Sequence, residues 1–246
     1  MRTVKTTFQI LEAVGEQQPI GLSELARRLD LPKSTVQRSL ATLADLGWIR
    51  VNGRESAGWR LGEKVRALRE KVDHLGRLRD AALPILGQLN GETLETIHLA
   101  VAENRTMRLV ERMDSKHALR LVQPIGTRSP LHATSTGKSV LAYLPDEEVE
   151  SYLTHGLNSL TSRTITDSEG LRAQLESIRD QGFAISDEEL SDGTVSVAAS
   201  VRPGGGRPIA AVSISGPTVR MSPEVHRAYG KLVAAATCEI ASQLEY

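Results

Sequence analysis

The pattern of apolar residues between positions 21 and 48 predicts two short helices separated by a tight turn. In the first helix, apolar residues recur at i, i+3, i+4 and i+7, and Ser23 is the expected cap. Pro32 is expected to open the second helix, because it moves the preceding Leu31 away from helical geometry and suits a first helical position. The predicted buried residues are Leu22, Leu25, Ala26 and Leu29 in the first helix and Val36, Leu40, Leu43 and Leu46 in the second.

The other side of the second helix carries short polar side chains and cations. An apolar seam that fixes a helix, combined with donors on its outer face, is what a helix-turn-helix needs to reach base edges and phosphates. The alternative is an ordinary helical hairpin whose exposed face is polar only because water surrounds it. The predicted DNA-contacting residues of this helix are Lys33, Ser34, Thr35, Gln37, Arg38 and Thr42.

The segments on either side complete a winged helix-turn-helix over residues 1–62. An amphipathic helix that ends near Pro19 precedes the pair. Residues 48–51 and 59–61 are predicted strands around an Asn52-Gly53 turn, and this wing adds Arg54 to the predicted DNA contacts. The apolar face of this N-terminal helix, which precedes the helix-turn-helix, is predicted to consist of Val4, Phe8, Leu11 and Val14.

A fourth helical pattern runs from Lys64 to Asn90, and the linker helix is predicted to be residues 63–77. Pro84 is expected to kink or restart this helix. An apolar stripe on a connector has to be covered, so a homodimer or homotetramer that pairs through the linker and the N-terminal domain is expected. Two-fold related half-sites on DNA require such pairing. Packing of the linker on its own C-terminal domain is the alternative.

From residue 95 the apolar period becomes that of strands. Two strands, one with Ile97, Leu99 and Val101 and one at 107–113, are predicted on either side of a turn at 103–105, and a third is predicted at 119–124. Three more strands are predicted at 183–187, 195–201 and 209–215. Helices are predicted within 126–144, at 146–153, at 167–181 with Asp167 as cap, and from Pro223 to about Gln243. Residues 78–246 are therefore predicted to be an α+β domain built on an antiparallel sheet.

Charge and composition are consistent with a DNA-binding N-terminal part. The chain is neutral overall, but residues 1–70 hold 12 Lys and Arg against 8 Asp and Glu, which favours a polyanionic partner. The single Cys238 lies in an apolar helical pattern, where a buried, inert thiol and a reducing compartment are expected. No apolar run is long enough for a membrane span and the N-terminus has no hydrophobic signal core, so a cytoplasmic protein is expected.

Other classes of function receive little support from the residues. A serine hydrolase would use Ser135 or Ser213 with His132, but the chain has no G-x-S-x-G elbow. The histidines at 98, 117, 132 and 155 do not have the spacing of a compact metal site. Neither a catalytic residue, nor a metal site, nor a cofactor is therefore predicted. A winged helix that contacts protein instead of DNA stays open as an alternative.

Several separated blocks of the chain resemble the IclR family of bacterial transcriptional regulators over almost the full length. They include LSELARRLDLPKSTVQRSLATLADLGW at 22–48, WRLG at 59–62, GTRSPLHATSTGKSVLA at 126–142, RTIT at 163–166, GFAISDEEL at 182–190 and VSISGPTVR at 212–220. The resemblance implies a winged helix-turn-helix, a linker helix and a GAF-like effector-binding domain, assembled as dimers or tetramers and without enzymatic activity. It also implies a double-stranded DNA operator and a small-molecule effector as partners.

The resemblance also implies an effector pocket whose residues are mostly hydroxyl side chains. Such a pocket suits a small organic or aromatic acid, because helix N-terminal N–H groups favour an anion and hydroxyls donate to a carboxylate. Two positions depart from the family: Ser196 replaces a frequent Cys, and Arg202-Pro203 replaces an aromatic residue and Asp. The implied effector-binding residues are Ser129, Ser135, Thr136, Gly137, Ser186, Ser196, Ser213 and Ser215.

Overall fold

A computed structural model describes residues 2–51 and 58–244 of the chain, so Arg54 and the predicted Asn52-Gly53 turn lie outside the described residues. The chain divides into two compact units, Met1–Gly76 and Arg77–Tyr246.

The first unit contains three helices and a two-stranded hairpin, which confirms the predicted winged helix-turn-helix. Strands β1 and β2 are antiparallel, with Val51 opposite Trp59. The core of this unit is formed by apolar residues from all three helices and from β1, among them Ile10, Leu25, Leu40 and Ile49. The elements are α1 Arg2–Glu16, α2 Leu22–Arg28, α3 Lys33–Asp45, β1 Ile49–Val51 and β2 Trp59–Leu61.

Three predicted core positions in this unit are wrong. Val4 and Phe8 on α1 are 62 % and 61 % exposed, because the helix turns Ile10 and Ala13 towards the core beside the predicted Val14. Leu46 is 51 % exposed, since α3 ends at Asp45 and Leu46 is only its C-cap.

Both predicted helix starts in the helix-turn-helix shift by one or two residues. Gly21 occupies the N-cap of α2, and Ser23 lies inside the helix, where it caps nothing. Pro32 is the N-cap of α3 and not its first helical residue. Its carbonyl accepts the first hydrogen bonds of the helix, from Thr35 N–H at 2.9 Å and Val36 N–H at 3.1 Å.

The linker pattern forms one long helix, α4 (Glu63–Thr93), which does not restart at Pro84. Pro84 and Asp80 are both exposed, so water can satisfy the Asp80 carbonyl that the missing proline N–H leaves free. The C-terminal half of the apolar stripe is covered within the second unit. Its buried residues are Leu78, Ala82, Ile85, Leu86 and Leu89.

The second unit is built on a six-stranded antiparallel sheet with the order β5-β4-β3-β8-β7-β6, as the predicted α+β class requires. Every residue of β8 is buried, so the sheet is covered on both faces there. Helix α5 packs against β6, β7 and β8, and α8 packs against β7 and β8. The elements are β3 Thr96–Glu103, β4 Thr106–Met113, β5 Arg128–Pro130, α5 Ser135–Leu141, α6 Asp146–Leu153, α7 Ser168–Gln181, β6 Ala184–Asp187, β7 Thr194–Val201, β8 Ala210–Pro217 and α8 Pro223–Ser242.

The strand predicted at 119–124 is wrong, because this segment is a loop whose carbonyls are bound by side chains. Thr96 Oγ1 donates to Leu121 O at 3.2 Å, Arg220 Nη2 donates to Leu119 O at 3.0 Å, and Arg112 donates to Gln123 O. The strand that pairs with β4 is β5, a few residues later.

The predicted burial of Cys238 is also wrong. This cysteine is exposed on α8, whose buried face is formed by other residues, including Val233, Thr237 and Ile240.

Candidate DNA-binding helix and effector cavity

Helix α3 separates an apolar side from a polar side. Val36, Leu40 and Leu43 are buried in the core of the first unit, together with Ser39. The polar residues on the opposite side point to solvent. Lys33, Ser34, Gln37, Arg38 and Thr42 are exposed, and Thr35 is half-buried.

The inner side of α3 is held in place by specific contacts as well as by apolar packing. Ser39 Oγ lies 3.3 Å from Thr7 Oγ1 of α1, which joins the two helices through a hydroxyl pair. Thr42 Oγ1 donates to Arg38 O at 3.1 Å, so part of its hydrogen-bonding capacity is used within the helix. The exposed donors at positions 33, 34, 37 and 38 cluster in the first half of α3, where the helix dipole also favours anions.

The second unit has a cavity of about 60 Å³ between the sheet, the start of α5 and the 119–127 loop. Seven of the eight residues implied by the family resemblance line it. They are Ser129, Ser135, Thr136, Ser186, Ser196, Ser213 and Ser215.

Gly137, the eighth residue, does not line the cavity. Its α-carbon packs against the backbone of Leu131, so that an added Cβ would lie 2.2 Å from Leu131 O. Its N–H donates to Thr134 Oγ1 at 3.0 Å, as part of the cap of α5. The glycine therefore permits a close backbone approach, and its N–H is already used.

The hydroxyls of the cavity bind either one another or backbone carbonyls. Ser135 Oγ donates to Ser196 Oγ at 2.7 Å, and Ser213 Oγ and Ser215 Oγ lie 3.4 Å apart. Ser186 Oγ donates to Ala133 O at 2.9 Å. Among the described residues that line the cavity, none is Asp, Glu, Lys or Arg. The site is therefore polar but carries no charge of its own.

His98 is the lining residue whose role the sequence did not indicate. It lies on β3, and its Nδ1 is 3.5 Å from Ser215 Oγ. Within the described part of the chain, its buried Nε2 has no hydrogen-bond partner. The pKa of His98 is lowered from 6.5 to about 4, chiefly by burial and further by Arg112, while Asp114 acts in the opposite direction. The imidazole is therefore neutral near pH 7.

Further lining residues were missed, and two of them, Leu121 and Gln123, lie in the segment that was predicted as a strand. Leu121, Gln123 and Thr127 belong to the loop that replaces the expected third strand, and Leu190 lies between β6 and β7. Nothing in the local sequence indicates that these side chains converge on one cavity.

A buried ion pair supports the wall of the cavity beside Thr136 and Leu190. Lys138 Nζ lies 2.5 Å from Glu189 Oε1 and 2.6 Å from Gln174 Oε1. The side chains of Lys138 and Glu189 are 0 % and 7 % exposed. Burial lowers the pKa of Lys138 and raises that of Glu189, against the attraction between them.

The hydrolase and metal alternatives find no matching geometry in residues 2–51 and 58–244. His132 Nδ1 is 2.8 Å from Tyr152 Oη and its Nε2 is 3.0 Å from Asn158 O, so both ring nitrogens have partners other than a serine. His98 lies near Ser215, but no carboxylate holds its other nitrogen. Within these ranges no cluster of three His, Cys, Asp or Glu side chains could hold a metal ion. No helix there is long and apolar enough to cross a membrane.

Comparison with sequence families gives two adjacent matches. The profile of the IclR helix-turn-helix domain matches residues 3–53, and the profile of the bacterial transcriptional regulator IclR C-terminal domain matches residues 71–242.

Characterised relatives and solved structures agree over nearly the whole chain. The regulator KdgR of Dickeya chrysanthemi is 35 % identical, with 99 % of this chain and 80 % of KdgR covered. The transcriptional repressor IclR of Escherichia coli strain K12 is 31 % identical, with 95 % and 86 % covered. The crystal structure of Thermotoga maritima IclR superposes over both full chains with a TM-score of 0.68 at 28 % identity. The crystal structure of the C-terminal domain of E. coli KdgR has a TM-score of 0.62 and is 33 % identical, with 69 % of this chain and 99 % of that domain covered.

Proposed function

The chain belongs to the IclR family of bacterial transcriptional regulators, and from this premise we propose that α3 binds in the major groove of an operator. The observation that carries this proposal is the polar face of α3, which is open to solvent while its other face is fixed in the core. In this proposal Gln37 and Arg38 read base edges, because amide and guanidinium groups make bidentate contacts with adenine and guanine. The contact surface is completed by Lys33, Ser34, Thr35 and Thr42, together with Arg54, which lies outside the described residues.

We further propose that the cavity in the second unit binds the effector, with a small 2-oxo or 2-hydroxy acid as its class. A volume of about 60 Å³ corresponds to roughly four to six water molecules. That size supports an acid such as pyruvate or lactate over an aromatic acid. An IclR homologue from Microbacterium hydrocarbonoxydans, 25 % identical and with a TM-score of 0.65, was crystallised with 4-hydroxybenzoate, and the small cavity argues against such a ligand here.

The contacts around the cavity suggest how the effector acts on α4. Arg112 holds the cavity loop through Gln123 O, and its neighbour Glu111 accepts from Arg79 Nη2 on α4 at 2.6 Å. A ligand that moves this loop therefore acts on α4 through two consecutive residues of β4. Operator affinity then changes to the extent that the effector binds one arrangement better than the other.

We propose a homodimer or homotetramer in the cytoplasm as the DNA-binding form. Leu68 on the linker part of α4 is 52 % exposed, and Val4 and Phe8 are exposed on α1. A second copy that covers these apolar side chains would place two recognition helices on one operator.

Fluorescence anisotropy with DNA from upstream of the protein's own gene tests the operator proposal. Arg38→Ala should weaken binding by about 1–3 kcal/mol, or roughly 5- to 150-fold in Kd, and relax the sequence preference without changing the melting temperature. Arg207→Ala is a matched control, because Arg207 is an exposed arginine of the second unit that pairs only with Glu148 in the described contacts. Equal losses for the two variants would mean that Arg38 acts only through net charge.

The same titration tests the effector proposal. Saturating pyruvate or lactate should shift the operator Kd of the wild type, and benzoate should have a smaller effect. If neither small acid binds the protein or changes operator affinity, the proposed effector class is wrong.

A further inference from the structure

The cavity presents a problem for the proposed acidic effector, because no charge faces it. An anion that leaves water for a site without a counter-charge loses several kcal/mol of solvation. Hydroxyl groups recover only part of that loss, and Ser135 and Ser196 already bind one another. A group that becomes positive when the ligand enters would remove the problem.

Only one side chain that lines the cavity can acquire a positive charge within the described residues, and that is His98. It is 6 % exposed, and its Nε2 is buried without a partner. A protonated imidazole donates from both ring nitrogens. Nδ1 is near Ser215 Oγ, so Nε2 is the ring nitrogen that has no partner among the described residues.

We propose that His98 takes up a proton when the effector binds and supplies the counter-charge for its carboxylate through Nε2. This inference rests on the proposed effector function. It adds a recognition residue on β3 and makes effector affinity depend on pH.

The charges around His98 favour a neutral imidazole in the empty cavity and a protonated one in the complex with the ligand. Arg112 lies directly opposite His98 on β4, and it disfavours an imidazolium in the empty cavity. Asp114 acts in the opposite direction and pairs with Arg112, with Nε and Oδ1 2.6 Å apart. Strands β6 and β8, helix α5 and the 119–127 loop present only uncharged side chains to the cavity. A ligand carboxylate would therefore be the nearest new charge and would raise the pKa of His98.

The sign of the pH dependence follows from this arrangement. Free His98 has a pKa of about 4, and the complex has a higher one. Between these two values each bound acid brings up to one proton, so affinity falls up to about tenfold for each pH unit that is added. Above the pKa of the complex the affinity becomes independent of pH.

Isothermal titration calorimetry of the full-length protein with pyruvate, an acid that is ionised throughout, measures this proton directly. At about pH 5.5, the binding enthalpy in buffers of different ionisation enthalpy should give an uptake approaching one proton per site. His98→Asn keeps a polar side chain that cannot titrate, and it should bind more weakly with no uptake and no pH slope. His155→Asn is the control, because it removes an exposed histidine that does not line the cavity and should keep the affinity, the uptake and the slope.

The outcomes separate this inference from the proposed function. Pyruvate binding without proton uptake, or uptake that persists in His98→Asn, would overturn the role of His98 and leave the effector cavity intact. If pyruvate and lactate neither bind the wild type nor change its operator affinity, the proposed effector class is wrong. The proposed role of His98 as counter-charge is then wrong as well. Circular dichroism of His98→Asn verifies that the variant is folded, and lactate replaces pyruvate if only lactate binds.

Discussion

The buried pair of Lys138 and Glu189 gives a stability prediction with a defined magnitude. Lys138→Met removes one charge and leaves Glu189 7 % exposed, with no cation in contact. Removing one partner of a buried ion pair costs about 3–5 kcal/mol, because the remaining charge stays desolvated. A domain of this size loses about 2–4 °C for each kcal/mol, so the second unit should melt about 6–20 °C lower.

The double variant Lys138→Met/Glu189→Gln should recover most of this loss. Burial shifts the pKa of both groups against their charged forms, so desolvation outweighs attraction in each case. Neutral side chains of similar volume avoid that cost, and replacing a whole buried pair is often neutral or stabilising. Arg207→Ala, which breaks an exposed pair with Glu148, should change stability by no more than about 1 kcal/mol.

The positions of the two tryptophans make the assay specific for each unit. Trp48 and Trp59 are the only tryptophans, and both belong to the first unit. Urea titrations of Lys138→Met followed by circular dichroism should show an early transition, while tryptophan fluorescence should report an unchanged one. The reasoning about desolvation would be refuted if the single variant were as stable as the wild type, or if the double variant were no more stable than the single one.

Two further predictions concern Gly137 and Glu103. Gly137→Ala should destabilise the second unit by at least about 2 kcal/mol in urea, because the added Cβ would lie 2.2 Å from Leu131 O. The control is Gly87→Ala on α4. Its Cβ meets open space, so this variant should be neutral or stabilising by about 0.5–1 kcal/mol. The pKa of Glu103 is lowered to about 2, chiefly by its hydrogen bond from Arg108, so the stability it contributes is present above about pH 4.5 and is lost as the pH falls towards 2. Acid titration by circular dichroism should therefore show a difference between wild type and Glu103→Gln that shrinks with falling pH, and a constant difference would contradict this.

The sequence predicted elements well where local signals are strong. Helix α6 begins at Asp146 and ends at Leu153 as predicted. Asp167 caps α7 by accepting from Gly170 N–H at 2.6 Å, which is the interaction that favours Asp at this position. These features depend on neighbours within a few residues, and sequence spacing records such neighbours directly.

The errors have a common cause in contacts between distant parts of the chain. Residues 119–124 have the composition of a strand, yet side chains from Thr96, Arg112 and Arg220 bind their carbonyls and keep them in a loop. His98 follows the alternation of a strand with one solvated face, but the start of α5 and the 119–127 loop lie over that face of β3 and line the same cavity. Burial of the second face depends on which distant helices and loops cover it, and the local period does not contain that information.

If the cavity binds the effector as proposed, its hydrogen bonds give it a means to select among acids. A ligand that separates Ser135 from Ser196 must replace a 2.7 Å hydrogen bond, and a ligand without an oxygen at that point leaves two hydroxyls unsatisfied. Each unsatisfied buried group costs about 1–3 kcal/mol, which is enough to reject an apolar analogue by one order of magnitude or more. At the other end, Nε2 of His98 has no bond to lose, so a carboxylate placed there gains without displacing a partner. In the proposed effector site, the Ser135–Ser196 pair would thus favour a neutral ligand oxygen and His98 an anionic group, and a small 2-oxo or 2-hydroxy acid carries both.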